Sequence, residues 1–114
     1  MATYKIETSQ VSVAGKPVTL FTVGFGDPAK NNAIVQDAES RMVELEAGEL
    51  GGQLALVNGP ATLPVVAVLT HHLVHRFGMV AVFDPKMVAY IVASSHGGDY
   101  AVGDVISAAE VKEA

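Results

Sequence analysis

The sequence predicts an α/β fold: one small domain, residues 1–114, with a central mixed sheet, a parallel βαβ core and antiparallel additions. Three observations lead there. The apolar runs "QLALVN" at 53–58 and "MVAVFD" at 79–84 flank a longer segment of helical period, and strands joined in this order pair in parallel through a right-handed crossover. The turn "DPK" at 84–86 sends "MVAYIVASS" back antiparallel to its predecessor. Half of the 114 residues are hydrophobic, 17% are charged and 6% aromatic, the profile of an alanine- and valine-rich globular chain rather than a disordered one. A chain of this length buries roughly two-thirds of its unfolded surface, enough for one real core.

Residues 4–7 and 17–25 ("PVTLFTVGF") are β-rich and flank "AGK", so they predict a hairpin. "GDP" at 26–28 is a sharp stop. Ile34, Ala38, Met42 and Leu45 then recur at helical spacing, with acidic residues crowding the far, solvated face. "QLALVN" has the continuous apolarity of a strand buried on both faces. A helix follows from about Leu63 to Phe77, with Pro64 tolerable only in its first turn and Gly78 as its C-cap. Val66, Leu69, Leu73 and Phe77 form its core stripe. After the strand 87–95, "HGGDYAVGD" is a glycine-rich loop, and "VISAAEV" adds a last short strand or a turn.

Charge and composition exclude several functions. A net charge of −5 argues against duplex DNA as a partner, although a small anion needs only backbone N–H groups at a helix start. Without cysteine there are no disulfides, thiolate metal sites or cysteine nucleophiles. No run reaches the 18 apolar residues of a membrane span, and "MATYKIETSQ" lacks the apolar core of a secretory signal, so a cytoplasmic location is expected. Few charges on a small body imply apolar surface covered by another copy of the chain.

The titratable groups fall on two faces. His71 and His75 sit one turn apart, nearly opposite the core stripe, with His72 on the flank next to Arg76. Two readings stand for the pair: a metal-chelating i, i+4 couple, or a polar helix face near a C-terminus. In a βαβ unit the helix end lies by the start of the next strand, so His75 is at the bottom of 79–84 and Asp84 at its top, roughly 15–20 Å away. The strand 87–95 returns Ser95 and His96 to the histidine end. At the other end lie the loop "NGPATL", Asp84 and Lys86. Ligands of open α/β sheets bind beyond the carboxyl ends of parallel strands, and "NGP" leads a strand into a helix, either as a phosphate cradle or as a plain turn. No P-loop, no G-x-G-x-x-G and no G-x-S-x-G is present.

"LALVNGP", "HHLVHRF", "VAVFDPK" and "VASSHGGDYAVGDVI", from Leu54 to Ile106, resemble the signature blocks of the third family of type III CRISPR ring nucleases. These are small single-domain relatives of the Rossmann-like CARF ligand-sensing domains. The resemblance implies a homodimer that binds and cleaves cyclic tetra-adenylate with Mn2+ assisting, switching off the antiviral signal. It places catalytic roles on His75, Asp84, Lys86 and His96, with His71 beside them. It places ligand contacts on Asn58 and Gly59, extending to Pro60 and Thr62, and the metal on His71, His75 and Asp84. Two positions depart from the family: its loop often carries arginine where "NGPAT" stands, and its "DPR" arginine is Lys86, which loses bidentate contact. Chemically, an RNA phosphodiester is cut by its own 2′-hydroxyl when one histidine removes that proton and a second protonates the leaving oxygen, with a cation stabilising the developing charge. Because His75 and Asp84 are far apart, the resemblance further implies head-to-tail stacking of dimers into a ligand-driven tetramer. The competing expectation is a non-catalytic CARF-like sensor or short-RNA binder.

Overall fold

A two-residue turn sets the first pairing. In the computed structural model, which describes residues 2–114, strands β1 (Tyr4–Val13) and β2 (Lys16–Phe25) pair antiparallel without interruption from Tyr4↔Phe25 to Val13↔Lys16. Between them Ala14 and Gly15 have φ of 52° and 78°, and positive φ at both centres is what a type I′ hairpin turn requires. Met1, the first residue of the expected 1–114 domain, lies outside the described residues. β1 is longer than the sequence suggests because Thr8, Ser9 and Gln10 continue it with exposed side chains.

Helix α1 (Asn31–Glu46) leads into β3 (Gly52–Asn58), which pairs parallel with β2. Helix α2 (Leu63–Leu73) leads into β4 (Phe77–Asp84), which pairs parallel with β3. Then β5 (Ala89–Ser95) returns antiparallel on β4, and β6 (Val105–Ser107) pairs antiparallel with β5. A single 3-10 turn, Ala108–Glu110, delivers β7 (Val111–Glu113) to the free side of β1. The sheet order is β6-β5-β4-β3-β2-β1-β7. Both helical crossovers step in the same direction along it, so right-handedness puts both helices on one face. There Ile34, Ala38 and Met42 of α1 and Val65, Leu69 and Leu73 of α2 pack on Tyr4, Phe21, Ala55 and Val80. Each large side chain in this layer contributes about 1.5–3 kcal/mol by leaving water.

The other face has no helix, yet Val13, Leu54, Leu56, Met79, Tyr90, Val92 and Ile106 are buried there. They are covered by the sheet itself. Ser107 and Val111 end strands on opposite edges but are four residues apart, so their Cα atoms are within about 14 Å. A flat seven-stranded sheet would hold those edges about 29 Å apart. The sheet must therefore curl into a nearly closed barrel, and a register irregularity of β4 at Val80/Ala81 against β5 adds local bend. Ser107 and Glu110 form a reciprocal capping box that holds the 3-10 turn.

The Rossmann-like, CARF-like core expected from the sequence is not formed. Pairing is antiparallel at β1–β2, β1–β7, β4–β5 and β5–β6, and parallel only at β2–β3 and β3–β4. The described chain is mostly β with two helices on one face, so the parallel pairs are a minor part of a curled sheet rather than its organising core. α2 also stops earlier, at Leu73, where Arg76 N–H closes a turn on the Leu73 carbonyl at 3.0 Å. Phe77 therefore starts β4, edge-on to Phe21 with ring centroids 5.8 Å apart. Gly78 lies within β4 instead of capping the helix, and Val65 rather than Val66 is buried.

Ser107→Ala removes the cap of the closing turn and should lower stability by about 1 kcal/mol in urea denaturation. Amide exchange of Val111–Glu113 should accelerate with it; unchanged exchange there would show that closure does not depend on the box.

Candidate functional site

The ends of β3 and β4 frame a cleft of about 330 Å³ lined by Asn58, Gly59, Pro60, Phe83 and Pro85. Each wall is fixed from below. Asn58 donates its side-chain amide to the Tyr90 hydroxyl at 3.0 Å, and Tyr90 meets Phe83 edge-on at 5.2 Å. Gly59 has φ +136°, and a Cβ there would overlap the Val23 carbonyl. The Pro60 carbonyl accepts from the Tyr4 hydroxyl at 2.8 Å, whose pKa burial pushes up to about 12. Tyr4 is itself held by Asp37, whose carboxylate accepts the backbone N–H of Tyr4 and Thr3 and is kept below its ordinary pKa by those bonds.

Thr62 is the N-cap of α2, accepting from Val65 N–H at 3.4 Å and donating to Asn31 at 2.9 Å. Pro64 has no N–H and Thr62 occupies that of Val65, so within the first three positions of α2 only Leu63 keeps a donor to offer. The phosphate-cradle reading of "NGPATLP" therefore has little donor capacity on the helix itself. Asp84 Oδ1 accepts the backbone N–H of Lys86 at 2.8 Å and of Met87 at 3.2 Å, so this carboxylate organises the β4–β5 turn. The Lys86 side chain is exposed beside it.

The histidines lie at the other end of β4, seven residue steps or roughly 23 Å from Asp84. His71 and His75 are exposed with ring centroids 5.1 Å apart and nearly perpendicular. His96 is exposed as well, and its backbone N–H bonds to the Gly78 carbonyl at 2.9 Å, which sets it at the same end. The structure thus brings His71, His75 and His96 to one end and Asn58, Gly59, Pro60, Thr62, Asp84 and Lys86 to the other. Among the described residues no group of three or more His, Asp or Glu is placed to hold a metal ion. Within one chain His71, His75 and Asp84 do not fit a manganese ion, because β4 separates them.

One cluster escaped sequence reasoning. His72 is bracketed by Glu39 at 2.5 Å from Nε2 and Glu46 at 2.7 Å from Nδ1, joining α1 to α2, and Arg76 lies 3.5 Å from Glu46. Burial opposes the charge on His72, but hydrogen bonds to Glu39 and Glu46 and the charges of both outweigh it, so its pKa is raised. Glu39 and Glu46, seven apart on α1, share a helix face; that spacing is the signal the sequence carries, and the acidic face expected to be solvated is partly covered by α2 through His72.

A family model described as CRISPR-associated protein (Cas_csx3) matches residues 39–107, from within α1 to the end of β6. No curated protein and no solved structure gives a significant match.

Gly59→Ala should cost the fold roughly 1–3 kcal/mol through backbone strain, plus the clash with Val23, so its thermal midpoint should fall whether or not ligand is present. An unchanged midpoint would mean that the loop relaxes freely. The His72 contribution to stability should be complete below about pH 6.5 and lost as pH rises through its higher folded-state value. His72→Gln should flatten that part of the stability–pH curve, measured by urea denaturation between about pH 5.5 and 8.5.

Proposed function

The chain belongs to the CRISPR-associated Cas_csx3 family, and from that premise we propose that it is a ring nuclease acting on cyclic tetra-adenylate. One observation carries this reading. The cleft of about 330 Å³ is formed by Asn58, Gly59 and Pro60 on one side and Phe83 and Pro85, which flank Asp84, on the other. These are the two stretches on which the signature resemblance puts the ligand loop and the "DP" motif.

The chemistry falls to the histidine end. A neutral imidazole takes the 2′-hydroxyl proton, the 2′-oxygen bonds to phosphorus, the P–O5′ bond breaks, and the O5′ oxygen receives a proton from a second imidazolium. The products are a 2′,3′-cyclic phosphate and a 5′-hydroxyl. His71 and His75, 5.1 Å apart between ring centroids and open to solvent, suit this paired role. Lys86, at the other end, supplies a mobile positive charge for the developing oxyanion. A phosphodiester cannot span the roughly 23 Å between the two ends of β4. In this proposal the histidine end of one homodimer meets the cleft end of another, and ligand drives a head-to-tail tetramer.

A second reading, a non-catalytic sensor, is favoured by Asp84, whose Oδ1 is already committed to two backbone N–H groups. Labelled cyclic tetra-adenylate incubated with the protein, with and without manganese, separates the two: linear fragments support the nuclease, and intact bound ring supports the sensor.

His75→Ala should lower turnover by about 10²–10⁴-fold with ligand binding nearly unchanged; turnover within twofold of the parent removes His75 from the mechanism. Turnover should rise steeply with protein concentration, and mixing His75→Ala with a Lys86→Ala chain should restore part of the lost activity through hybrid contacts. A dead mixture from two separately impaired variants counts against the stacked assembly.

A further inference from the structure

Val88 stands in a backbone conformation that its side chain disfavours. Among the described residues, Val88 and Ala14 are the non-glycine residues with positive φ, at 50° and 52° respectively. Ala14 belongs to a hairpin turn built on such angles. Val88 is β-branched, and the left-handed region crowds its Cβ against the following carbonyl. Packing does not offset that strain, because Val88 is 57% exposed and its neighbour Met87 55%. Three hydrogen bonds hold the turn instead. Asp84 Oδ1 accepts from the N–H groups of Lys86 and Met87, which fixes the two residues before Val88. The Val88 carbonyl accepts the N–H of Ala108 at 3.1 Å, at the start of the 3-10 turn that joins β6 to β7. Asp84 is the one side chain among these partners, and Pro85 beside it lines the cleft.

We infer that the Pro85–Val88 turn is a two-state latch on Asp84, with Val88 as the positioning residue whose strain offsets part of the cost of freeing that carboxylate. At rest the carboxylate is held by the turn. When a hydrogen-bond donor or a cation of a ligand in the cleft takes it, Lys86 and Met87 lose their acceptor. Val88 then relaxes to the extended conformation that valine prefers. The strain released makes the exchange less costly than it would be around a glycine. One carboxylate thereby serves the turn in one state and the cleft in the other. That the ligand is a cyclic oligoadenylate rests on the ring nuclease reading; the two states of the turn do not.

Relaxation-dispersion NMR of the whole protein should show microsecond-to-millisecond exchange at the amides of Lys86, Met87, Val88 and Ala89. Val88→Gly removes the preference for the extended form, so it should lower the minor-state population about 5–30-fold and flatten those profiles. Its thermal midpoint should rise by about 3–6 °C, whereas a side chain that only braced the fold would lose stability on truncation to glycine. Val88→Asn, which tolerates the left-handed region, should act in the same direction, and Val88→Ile, still β-branched, should behave as the parent does. Given cyclic tetra-adenylate, the glycine variant should cleave about fivefold or more slowly than the parent despite its higher midpoint. Flat profiles in the parent, profiles that Val88→Gly leaves unchanged, a lower midpoint for that variant, or full-rate cleavage by it each overturn the latch. A parent that shows the exchange but cleaves no ring removes only the nuclease reading.

Discussion

Three residues between β6 and β7 constrain the whole molecule. Ala108–Glu110 joins strands on opposite edges of a seven-stranded sheet, and so short a link leaves the sheet no course but to curl. Curling gives the helix-free face its own interior, where Leu56, Met79, Tyr90 and Ile106 are buried without any covering layer. It also explains why two helices suffice. A sheet that must shield only its outer face needs one layer of helices, and the matching direction of both crossovers supplies it.

A curled sheet has two ends, and they differ in chemistry. At one, Lys16 reaches Asp99 at 2.5 Å, and Tyr100 of the glycine-rich loop packs against the interior. Such an exposed ion pair contributes little energy; the loop is placed there by Tyr100, whose carbonyl accepts from the Ser95 hydroxyl at 2.8 Å. The opposite end is left as a neutral cleft between Asn58–Pro60 and Phe83–Pro85. His71 and His75 lie outside the barrel, where α2 ends.

Hydrogen bonds carry order from one layer to the next. Asp37 of α1 holds the backbone of Tyr4, whose hydroxyl holds the Pro60 carbonyl beside the cleft. His72 between Glu39 and Glu46 joins the two helices near their far ends. The helical layer is thus pinned at the middle and the last turn of α1, and the Pro60 wall of the cleft is held by Asp37 and Tyr4, which do not line it.

Much of this was legible in the residues alone. The hairpin turn at Ala14–Gly15, the α1 stripe Ile34–Ala38–Met42, the β3 run and the exposure of His71 and His75 follow from spacing and turn chemistry, which depend on neighbours in the chain. So does the separation of His75 from Asp84 along one strand. The barrel-like closure, the burial of β1 beyond Ile6 and the His72 cluster did not follow. They depend on pairings such as Val13↔Val111 and His72 with Glu39, between residues far apart in sequence. Periodicity reports which side of an element is apolar, whereas what covers that side is decided only when distant edges meet, and here a three-residue link makes them meet.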